Sequence, residues 1–428
     1  MKNMQIFHCR GLNGDIVIPG DKSISHRSVI LGSLAIGTTK ISNFLNSDDC
    51  LTTIEIFKAL GVRIEQKKNQ IKIYGVGLHG LKKPPKILNA KNSGTTARIL
   101  MGLLASQSFS CTLTGDHTLK RRPMDRVVIP LTQMGAAFKN KENHLPITII
   151  GNNLTGIKYR LPIASAQVKT ALLIAGMYAQ GETRIYEPEP SRDHSERMFQ
   201  YFGIPLKSSK KMLTITKLKQ NFRGKSIYVP GDFSSAAFFL VAALIVPNSH
   251  IRLKNVGINP TRIALLEVLK KMGGNINVFF HKYFLNNEPM ADIEIKSSEL
   301  KGLQVSNKVV PRMIDEFPIL AVAATQAHGR TVIKGAQELA VKESNRLKTM
   351  FEGLKRMGAK IILKSDGWII DGPSTLKGQK VFAYGDHRVA MSLAIAGLVA
   401  SNNTIICDTQ NIDTSFPNFF KILSDIQK

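Results

Sequence analysis

Six stretches of the chain repeat one pattern of apolar and polar positions. Each begins with a turn rich in Ser, Thr, Gly or Asp, continues through an Ala- and Leu-rich run that is apolar on nearly every helical face, and ends in a polar turn and a β-branched strand. Such runs predict helices that are buried on all sides. The starts are separated by about 70 residues, too long a period for a solenoid with repeats of about 20 to 50 residues. The six copies are Ser23–Ile41, Ser93–Leu113, Ser165–Ile185, Ser234–Ile251, Asp315–Ile333 and Asp386–Ile405.

A second helix that ends on a glycine is expected after each of the first five strands. Glycine suits the left-handed conformation that commonly follows the last turn of a helix. Stretches of alternating polarity come next, such as Val62–Gly75 and Ala359–Gly372, and they predict hairpins. Each unit is therefore expected to be β-α-β-α-β-β, and six units predict an α/β protein with two domains of three units each. The five second helices are Ile54–Gly61, Val128–Gly135, Glu196–Gly203, Ile263–Gly273 and Leu347–Gly358.

The domain boundary is expected where the segment IPGDKS, Ile18–Ser23, is echoed by VPGDFSS, Val229–Ser235. If both segments are hinges, the N-terminal residues belong with the C-terminal half, and the chain crosses between domains twice. The prediction is a discontinuous domain of residues 1–20 and 232–428 and a second domain of residues 21–231. A cleft between the domains is then the default position for the active site.

Length, charge and cysteine content narrow the class of protein. With 428 residues, 43% of them hydrophobic, the chain is long enough for two or three domains and too apolar to be mostly disordered. Lys plus Arg number 58 against 31 Asp plus Glu, and the net charge of +27 favours anionic partners. The four cysteines lie far apart without a C-x-x-C pair, which argues against a zinc site or a disulfide framework.

Two observations favour a cytoplasmic protein. The N-terminal segment MKNMQIFHCR lacks the continuous apolar core of a secretory signal. The longest apolar run, Ala236–Pro247, is shorter than the roughly 20 residues that a membrane span needs. We therefore expect neither export nor membrane insertion.

Basic side chains collect near the expected starts of the buried helices, where free N–H groups and the helix dipole attract anions. Each motif alone has a structural alternative: an N-cap for Asp315, or an ordinary i,i+3 ion pair for Glu343 and Arg346. Taken together, the motifs predict a site for small, multiply charged anions. His387 has no partner at a metal-ligand spacing, so no metal is expected. The basic group consists of Lys22, Arg27, Arg98, Arg122, Lys342, Arg346 and Arg388.

Seven segments in order resemble the 5-enolpyruvylshikimate-3-phosphate (EPSP) synthase family, and the likeness runs essentially end to end. The resemblance implies a two-domain enolpyruvyl transferase fold, with six β-α-β-α-β-β units in two inside-out barrel-like domains around buried helices. It implies transfer of the carboxyvinyl group of phosphoenolpyruvate to the 5-hydroxyl of shikimate 3-phosphate, with release of phosphate and without a cofactor, in the shikimate pathway to chorismate and aromatic amino acids. The segments are GDKSISHR (20–27), NSGTTAR (92–98), GDHTLKRRPMDR (115–126), ASAQVKTALL (164–173), SRDHSERM (191–198), VKESNR (341–346) with the preceding Asp315, and GDHRVAM (385–391).

Residue by residue, the resemblance implies catalytic groups and two substrate sets. Asp315 takes the proton of the 5-hydroxyl, Glu343 protonates the methylene carbon, and Lys22 is the third catalytic group. Forked guanidiniums fit the carboxylate and phosphate of phosphoenolpyruvate. The shikimate 3-phosphate set is Lys22, Ser23, Arg27, Ser165, Ala166, Gln167, Arg192, Asp315 and Lys342. The phosphoenolpyruvate set is Lys22, Asn92, Gly94, Arg122, Gln167, Arg346 and Arg388, with Arg98 beside it.

The resemblance extends to a subgroup of the family. The segments Ser165–Thr170 and Ser191–Arg197 are similar to those of class II members, some of which tolerate glyphosate. Gly94 is the small residue associated with inhibitor access, so glyphosate sensitivity is expected here. Thr414 stands where many members have a lysine, which puts one anion contact in question. A monomer fits the family.

Two other functions stay open at this point. The sister enolpyruvyl transferase acting on UDP-N-acetylglucosamine shares the architecture, but it carries a reactive cysteine in the loop where this chain has His117, and Cys111 lies upstream in a predicted strand. A basic nucleic-acid-binding repeat protein would suit the charge, but aromatic residues are only 7% and are not interleaved with basic ones. The expected partners are therefore the two anionic substrates, with no nucleic acid and no membrane.

Overall fold

A computed structural model describes residues 3–209, 211–281 and 285–428 of the chain. In these ranges no helix is long and apolar enough to cross a membrane. The α-helices are α1 (Lys22–Leu34), α2 (Asp48–Ala59), α3 (Gly94–Leu104), α4 (His117–Lys120), α5 (Asp125–Gln133), α6 (Ala166–Gly176), α7 (His194–Phe202), α8 (Phe233–Ile245), α9 (Ala264–Lys271), α10 (Val310–Met313), α11 (Phe317–Gln326), α12 (Arg346–Arg356), α13 (His387–Leu398) and α14 (Phe419–Asp425). Short 3-10 helices are Leu285–Asn287, Asn307–Val309, Gln337–Val341 and Thr409–Thr414.

The strands of the described residues build six sheets. They are β1 (Met4–Ile6), β2 (Asn13–Val17), β3 (Ile36–Ser42), β4 (Arg63–Lys67), β5 (Gln70–Val76), β6 (Leu88–Asn89), β7 (Ser110–Thr114), β8 (Ala137–Lys141), β9 (His144–Ile150), β10 (Lys158–Arg160), β11 (Glu182–Tyr186), β12 (Leu206–Ser208), β13 (Met212–Thr216), β14 (Ser226–Tyr228), β15 (His250–Gly257), β16 (Asn275–Phe280), β17 (Met290–Lys296), β18 (Gln304–Val305), β19 (Gly329–Ile333), β20 (Lys360–Lys364), β21 (Gly367–Gly372), β22 (Lys380–Phe382) and β23 (Thr404–Cys407). Five sheets have the orders β14-β3-β5-β4, β6-β7-β9-β8, β10-β11-β13-β12, β2-β15-β17-β16 and β18-β19-β21-β20, and the sixth is β1-β23-β22.

The four-stranded sheets share one pairing scheme. One outer strand is parallel to its neighbour, and the remaining contacts are antiparallel: Ser226 pairs with Lys40 in a parallel register, whereas Ile36 pairs with Val76 in an antiparallel one. A parallel pair needs a crossover, and a buried helix supplies it in β6-α3-β7 and β10-α6-β11. The α/β class is thereby confirmed, and five sheets have the four strands expected of a β-α-β-α-β-β unit, whereas the sixth sheet has only three.

Two of the parallel strands are exchanged between distant parts of the chain. The strand β2 precedes α1 in sequence but pairs with β15, where Asn13 lies opposite His250. The strand β14 precedes α8 but pairs with β3. Each of these two sheets therefore contains an outer strand that is far away in sequence from the strand it pairs with.

By packing, the described residues form two compact units. Unit 1 contains residues 3–19, 230–281 and 289–428, and unit 2 contains residues 20–209, 211–229 and 285–288. Each unit has its own hydrophobic core around three buried helices, which are α8, α11 and α13 in unit 1 and α1, α3 and α6 in unit 2. The sequence did not indicate that residues 285–288, in the loop between β16 and β17, pack with unit 2.

Inside unit 2, α3 and α6 pack backbone against backbone. A Cβ added at Gly102 would lie 2.1 Å from the carbonyl oxygen of Ala171, so only glycine permits this approach. The close contact places the first turns of the two helices side by side, which matters for the site described below.

The glycines expected to end the second helices do so. All five adopt a left-handed backbone, with φ between 76° at Gly203 and 95° at Gly135. The starts of these helices were predicted less accurately than their ends. The helix α2 begins at Asp48 rather than Ile54, because the two acidic residues in its first turn interact favourably with the helix dipole.

The interpretation of Asp315 as an N-cap is wrong. The helix α11 begins at Phe317, its N-cap residue is Glu316, and Pro318 occupies the first turn. Proline has a fixed φ that suits the first turn and lacks an N–H group, so the helix starts just before it. Asp315 lies in the preceding turn, with its side chain 16% exposed.

Candidate active site

The first turns of α1, α3 and α6 meet in unit 2. Arg98 on α3 donates from Nη1 to Gln167 Oε1 on α6 at 3.2 Å, and Gln167 Nε2 donates back to Thr95 Oγ1 at 3.0 Å. Free backbone N–H groups of three helix starts therefore share one region of the unit. The side chains that cap these helices are Asp21, Ser93 and Ser165.

Buried hydroxyl groups join α1 to α3 through α2. His26 Nδ1 is hydrogen-bonded to Thr53 Oγ1 at 2.7 Å, Thr53 Oγ1 to Thr96 Oγ1 at 2.7 Å, and Thr96 Oγ1 to Ser93 Oγ at 2.7 Å. All four side chains are buried. Burial, followed by the positive charges of the two neighbouring cations of α1, holds the pKa of His26 well below its usual value. The imidazole is therefore a neutral member of this network at neutral pH.

Lys22 and Ser23 open α1 and are both half-buried. The ammonium group of Lys22 lies 2.8 Å from Asp49 Oδ2 on α2. Ser23 contributes its carbonyl oxygen, which accepts from Arg27 Nη1 at 3.0 Å. The basic end of α1 is thus fixed by one ion pair and one backbone contact.

Arg27 is buried and held by neutral acceptors. Its Nε donates to Ser195 Oγ at 2.7 Å, and its Nη2 donates to Thr170 Oγ1 at 2.8 Å. Burial lowers the pKa of Arg27 to about 10, and the nearby positive charge of Arg192 also lowers it. Arg192 and Ala166, the first residue of α6, are half-buried beside this group. Two guanidiniums that repel each other favour an anion in their vicinity.

Asn92, Gly94 and Arg122 form a second part of the same region. Arg122 Nη2 donates to Asn92 Oδ1 at 3.2 Å, and Asn92 Nδ2 donates to Asp116 Oδ2 at 2.8 Å. A Cβ added at Gly94 would lie 2.8 Å from Arg98 Nη1 and 3.4 Å from Arg122 Nη1. The glycine therefore leaves space for both guanidiniums at the start of α3.

A second cluster in unit 1 is centred on Arg346. Its Nε donates to Asp386 Oδ2 at 2.8 Å, its Nη2 to Glu343 Oε2 at 2.5 Å, and its Nη1 to Asp315 Oδ1 at 3.3 Å. Arg388 Nη2 lies 3.8 Å from Asp315 Oδ2. Asp315 and Glu343, the two carboxylates singled out from the sequence, therefore contact the same guanidinium.

The charge state of Arg346 is fixed by its partners. Burial alone would lower the pKa of Arg346, but the carboxylates of Asp386, Glu343 and Asp315 raise it above its ordinary value. Asp386 is fully buried, and its other oxygen caps α13 by accepting from the backbone N–H of Arg388 at 2.9 Å. This role was not predicted from the sequence, although an aspartate just before His-Arg at a helix start is the signal of such a cap.

Lys342 and Thr414, two other residues singled out from the sequence, also belong to unit 1. Lys342 is half-buried and follows the 3-10 helix Gln337–Val341. Thr414, which replaces a lysine found in many members, donates from Oγ1 to the carbonyl of Asn411 at 2.6 Å. Its hydroxyl group is engaged by its own turn.

Chemically, the two clusters can hold anions and exchange protons. Among the described residues, no group of three or more His, Cys, Asp or Glu side chains is arranged to hold a metal ion. The four cysteines are buried, and Cys111 is in β7 as predicted. The carboxyl groups of Asp315 and Glu343, which contact Arg346, are available for acid–base chemistry.

Comparison with known proteins gives one consistent result. A family model described as EPSP synthase (3-phosphoshikimate 1-carboxyvinyltransferase) matches residues 8–423. A curated 3-phosphoshikimate 1-carboxyvinyltransferase from Thermoanaerobacter sp. (strain X514) is 51% identical over 413 residues, 96% of this chain and 97% of that protein. One from Geobacter sulfurreducens is 48% identical over 428 residues, 100% of this chain and 99% of that protein. The solved structure of EPSP synthase from Acinetobacter baumannii matches with a TM-score of 0.90 and 42% identity, covering 100% of this chain and 98% of that one.

Proposed function

The chain belongs to the EPSP synthase family, and we propose that the two clusters divide the work of its reaction. It transfers the carboxyvinyl group of phosphoenolpyruvate to the 5-hydroxyl of shikimate 3-phosphate and releases phosphate, a step of the shikimate pathway. The family and the activity expected from the seven motifs are thereby confirmed. We propose roles for individual residues in binding the two substrates and in proton transfer.

Shikimate 3-phosphate is bound mainly by unit 2. Its phosphate is held by Lys22 in the first turn of α1, by Arg27 in the next turn of α1 and by Arg192, which precedes α7; helix N–H groups add further donors. Ser23 at the start of α1 and Ser165, Ala166 and Gln167 at the start of α6 contact the ring. Asp315 and Lys342 contribute from unit 1 at the hydroxyl end.

Phosphoenolpyruvate is bound by guanidiniums from both units. Arg122, Arg346 and Arg388 offer forked donors to its carboxylate and phosphate. We assign Asn92 and the backbone at Gly94 to the same substrate, and Lys22 and Gln167 to both substrates. Both substrates are anions that repel each other in water, so the cations assigned to them lower the cost of bringing them together.

The chemical steps use the two carboxylates of unit 1. The Asp315 carboxylate accepts the 5-hydroxyl proton as the oxygen bonds to C2 of phosphoenolpyruvate, and Glu343 gives its proton to the methylene carbon. In the tetrahedral adduct, Glu343 takes a proton back from that carbon, the double bond re-forms, the C–O bond to phosphate breaks, and the proton held by Asp315 leaves with the phosphate. The observation that supports these roles is the contact of one arginine with both side chains.

The first test is phosphate release with phosphoenolpyruvate and shikimate 3-phosphate. We expect release that requires both substrates and is lost in Asp315→Ala and in Glu343→Ala. Release with UDP-N-acetylglucosamine in place of shikimate 3-phosphate would instead identify the sister reaction. Full release in either alanine variant would remove that carboxylate from the mechanism.

Further proposals concern the surroundings of the reaction. We propose that glyphosate competes with phosphoenolpyruvate, because Gly94 leaves space beside two guanidiniums. We also propose that the protein works as a cytoplasmic monomer that does not bind nucleic acid. Inhibition by glyphosate, light scattering, cell fractionation and duplex binding at physiological salt test these statements in turn.

A further inference from the structure

Lys169 is a buried lysine that belongs to neither substrate set. It lies on α6, two residues after Gln167, and its side chain is fully buried. Its ammonium group contacts Glu187 Oε2 at 3.0 Å, Glu196 Oε1 at 2.6 Å and the carbonyl of Ser191 at 3.5 Å. A charge removed from water in this way is costly unless it is fully paired, so the site is built around the lysine.

The partners of Lys169 flank Arg192 on both sides in sequence. Glu187 and Ser191 precede Arg192, and Glu196 follows it in the first turn of α7. Glu187 also accepts from the backbone N–H of Ser191 at 3.2 Å. The segment that carries Arg192 is thus tied at both ends to one ammonium group on α6.

A second bridge joins the same segment to α1. Thr170 donates its only hydroxyl hydrogen to the carbonyl of Ala166 at 2.6 Å, so Ser195 is the donor in the contact between Ser195 and Thr170. Both oxygens also accept from Arg27. Helix α6 therefore holds Arg192 through Lys169 and holds Arg27 through Thr170.

We propose that Lys169 is a positioning residue that, with Glu187 and Glu196, fixes Arg192 and Arg27 for the phosphate group of the acceptor. The proposal rests on the binding of shikimate 3-phosphate in unit 2. It gives a role to Lys169 in the segment SAQVKT and to Glu196 in the segment SRDHSE, neither of which has a role in the reaction itself.

The charges of the network explain why both acids are needed. One ammonium between two carboxylates leaves the group with one negative charge, which offsets part of the charge of Arg27 and Arg192 nearby. Burial raises the pKa of Glu196, with Lys169 opposing that rise. Without Lys169, two carboxylates would face each other in a buried site, and the segment would have to move or take up a proton.

Glu196→Gln and Lys169→Met test the proposal by comparing two ligands. Glu196→Gln keeps the pair of Lys169 with Glu187, so it serves even if Lys169→Met does not fold. Calorimetry measures the dissociation constants of shikimate 3-phosphate and of shikimate, which lacks the phosphate. We expect each variant to weaken shikimate 3-phosphate by about tenfold or more and shikimate by less than twofold, because small displacements of a charged group are costly only to the ligand that it contacts.

Steady-state kinetics give an independent reading. The KM for shikimate 3-phosphate should rise, while the KM for phosphoenolpyruvate and kcat stay within about twofold. Glu189→Gln is the matched control, since Glu189 is on the same segment but is exposed and paired with Lys211. It should change neither dissociation constant.

Two outcomes would overturn the proposal. A lower melting temperature with an unchanged preference for the phosphorylated ligand would show a purely structural network. Equal weakening of both ligands would show a general loss of the site. If the unaltered protein itself binds both ligands equally, the placement of the phosphate in unit 2 fails first, which separates that failure from failure of the positioning role.

Discussion

Arg27 in unit 2 and Arg346 in unit 1 are held by different kinds of partner. Arg27 donates to the hydroxyl groups of Ser195 and Thr170. In unit 1, Arg346 donates to three carboxylates. Neutral acceptors fix a guanidinium without cancelling its charge, whereas carboxylates cancel it and supply sites for protons.

This difference matches the two tasks proposed above. The neutral acceptors of Arg27 leave positive charge in unit 2 for a multiply charged substrate, whereas Lys22 is paired with Asp49. The unit 1 cluster is close to balanced, and its carboxylates are those to which proton transfer is assigned. Substitutions on the two sides should therefore fail in different ways.

The largest effect is expected from Asp315→Asn. Loss of the base should lower kcat by about 10² to 10⁴, because the amide cannot accept the hydroxyl proton. The dissociation constant of shikimate 3-phosphate should change little, since the amide keeps the shape of the carboxylate. Stopped assays of phosphate release measure the first quantity and calorimetry the second. Asp413→Asn, at an exposed aspartate, is the control. A kcat for Asp315→Asn within threefold of that of the unaltered protein would contradict the role of Asp315 as the base.

Asp386→Asn is expected to have the next largest effect, on stability. Removing one partner of a buried ion pair costs about 3 to 5 kcal/mol, because the remaining charge stays buried. Ser195→Ala, on the neutral side, should cost about 1 kcal/mol. Urea unfolding of both variants measures the two free energies. Equal losses would mean that ionic and neutral support of the arginines do not differ.

Gly94→Ala should act on one substrate only. Its Cβ would lie 2.8 Å from Arg98 Nη1, so the guanidinium must move away from Gln167. We expect the KM for phosphoenolpyruvate to rise about tenfold, on the scale of one displaced contact, with the KM for shikimate 3-phosphate nearly constant. Glyphosate inhibition should weaken in parallel. A rise in both KM values would show that the two substrate sets of unit 2 are not separable.

The smallest effect concerns His26 and pH. Because the folded protein holds the pKa of His26 well below the unfolded value of about 6.5, unfolding takes up a proton as pH falls below about 6.5. The stability of the unaltered protein should therefore decrease toward acid pH. His26→Asn should remove about 1 kcal/mol of the loss between about pH 6.5 and 5.5. Unfolding curves at the two pH values measure this, with the exposed His117→Asn as control, and an unchanged slope would contradict it.

Most of the architecture could be predicted from the sequence, because each repeat is a pattern of apolar and polar residues that are close together along the chain. The six apolar runs became the six buried helices, and the two Pro-Gly-Asp segments lie at the points where the chain passes from one unit to the other. The site residues were named one by one from the family resemblance, and the structure brings Asp315, Glu343 and Arg346 together.

What sequence reasoning missed depends on contacts between distant elements. Asp386 had the residue type of a cap, but only its position against Arg346 shows that it anchors the cluster. The pairing of Lys169 with Glu187 and Glu196 could not be predicted either, because in the sequence Lys169 lies within an apolar run. Residues 285–288 carry no motif, and their packing with unit 2 follows from the path of the chain.

The exchange of β2 and β14 has a consequence for synthesis on the ribosome. The strand β2 emerges early, yet its partner β15 ends at Gly257, so at about 5 to 20 residues per second it waits roughly 10 to 50 seconds for a neighbour. Unit 2 obtains its last sheet strand, β14, while that wait continues. Residues 20–229, which form nearly all of unit 2, are therefore complete before β2 has its partner strand.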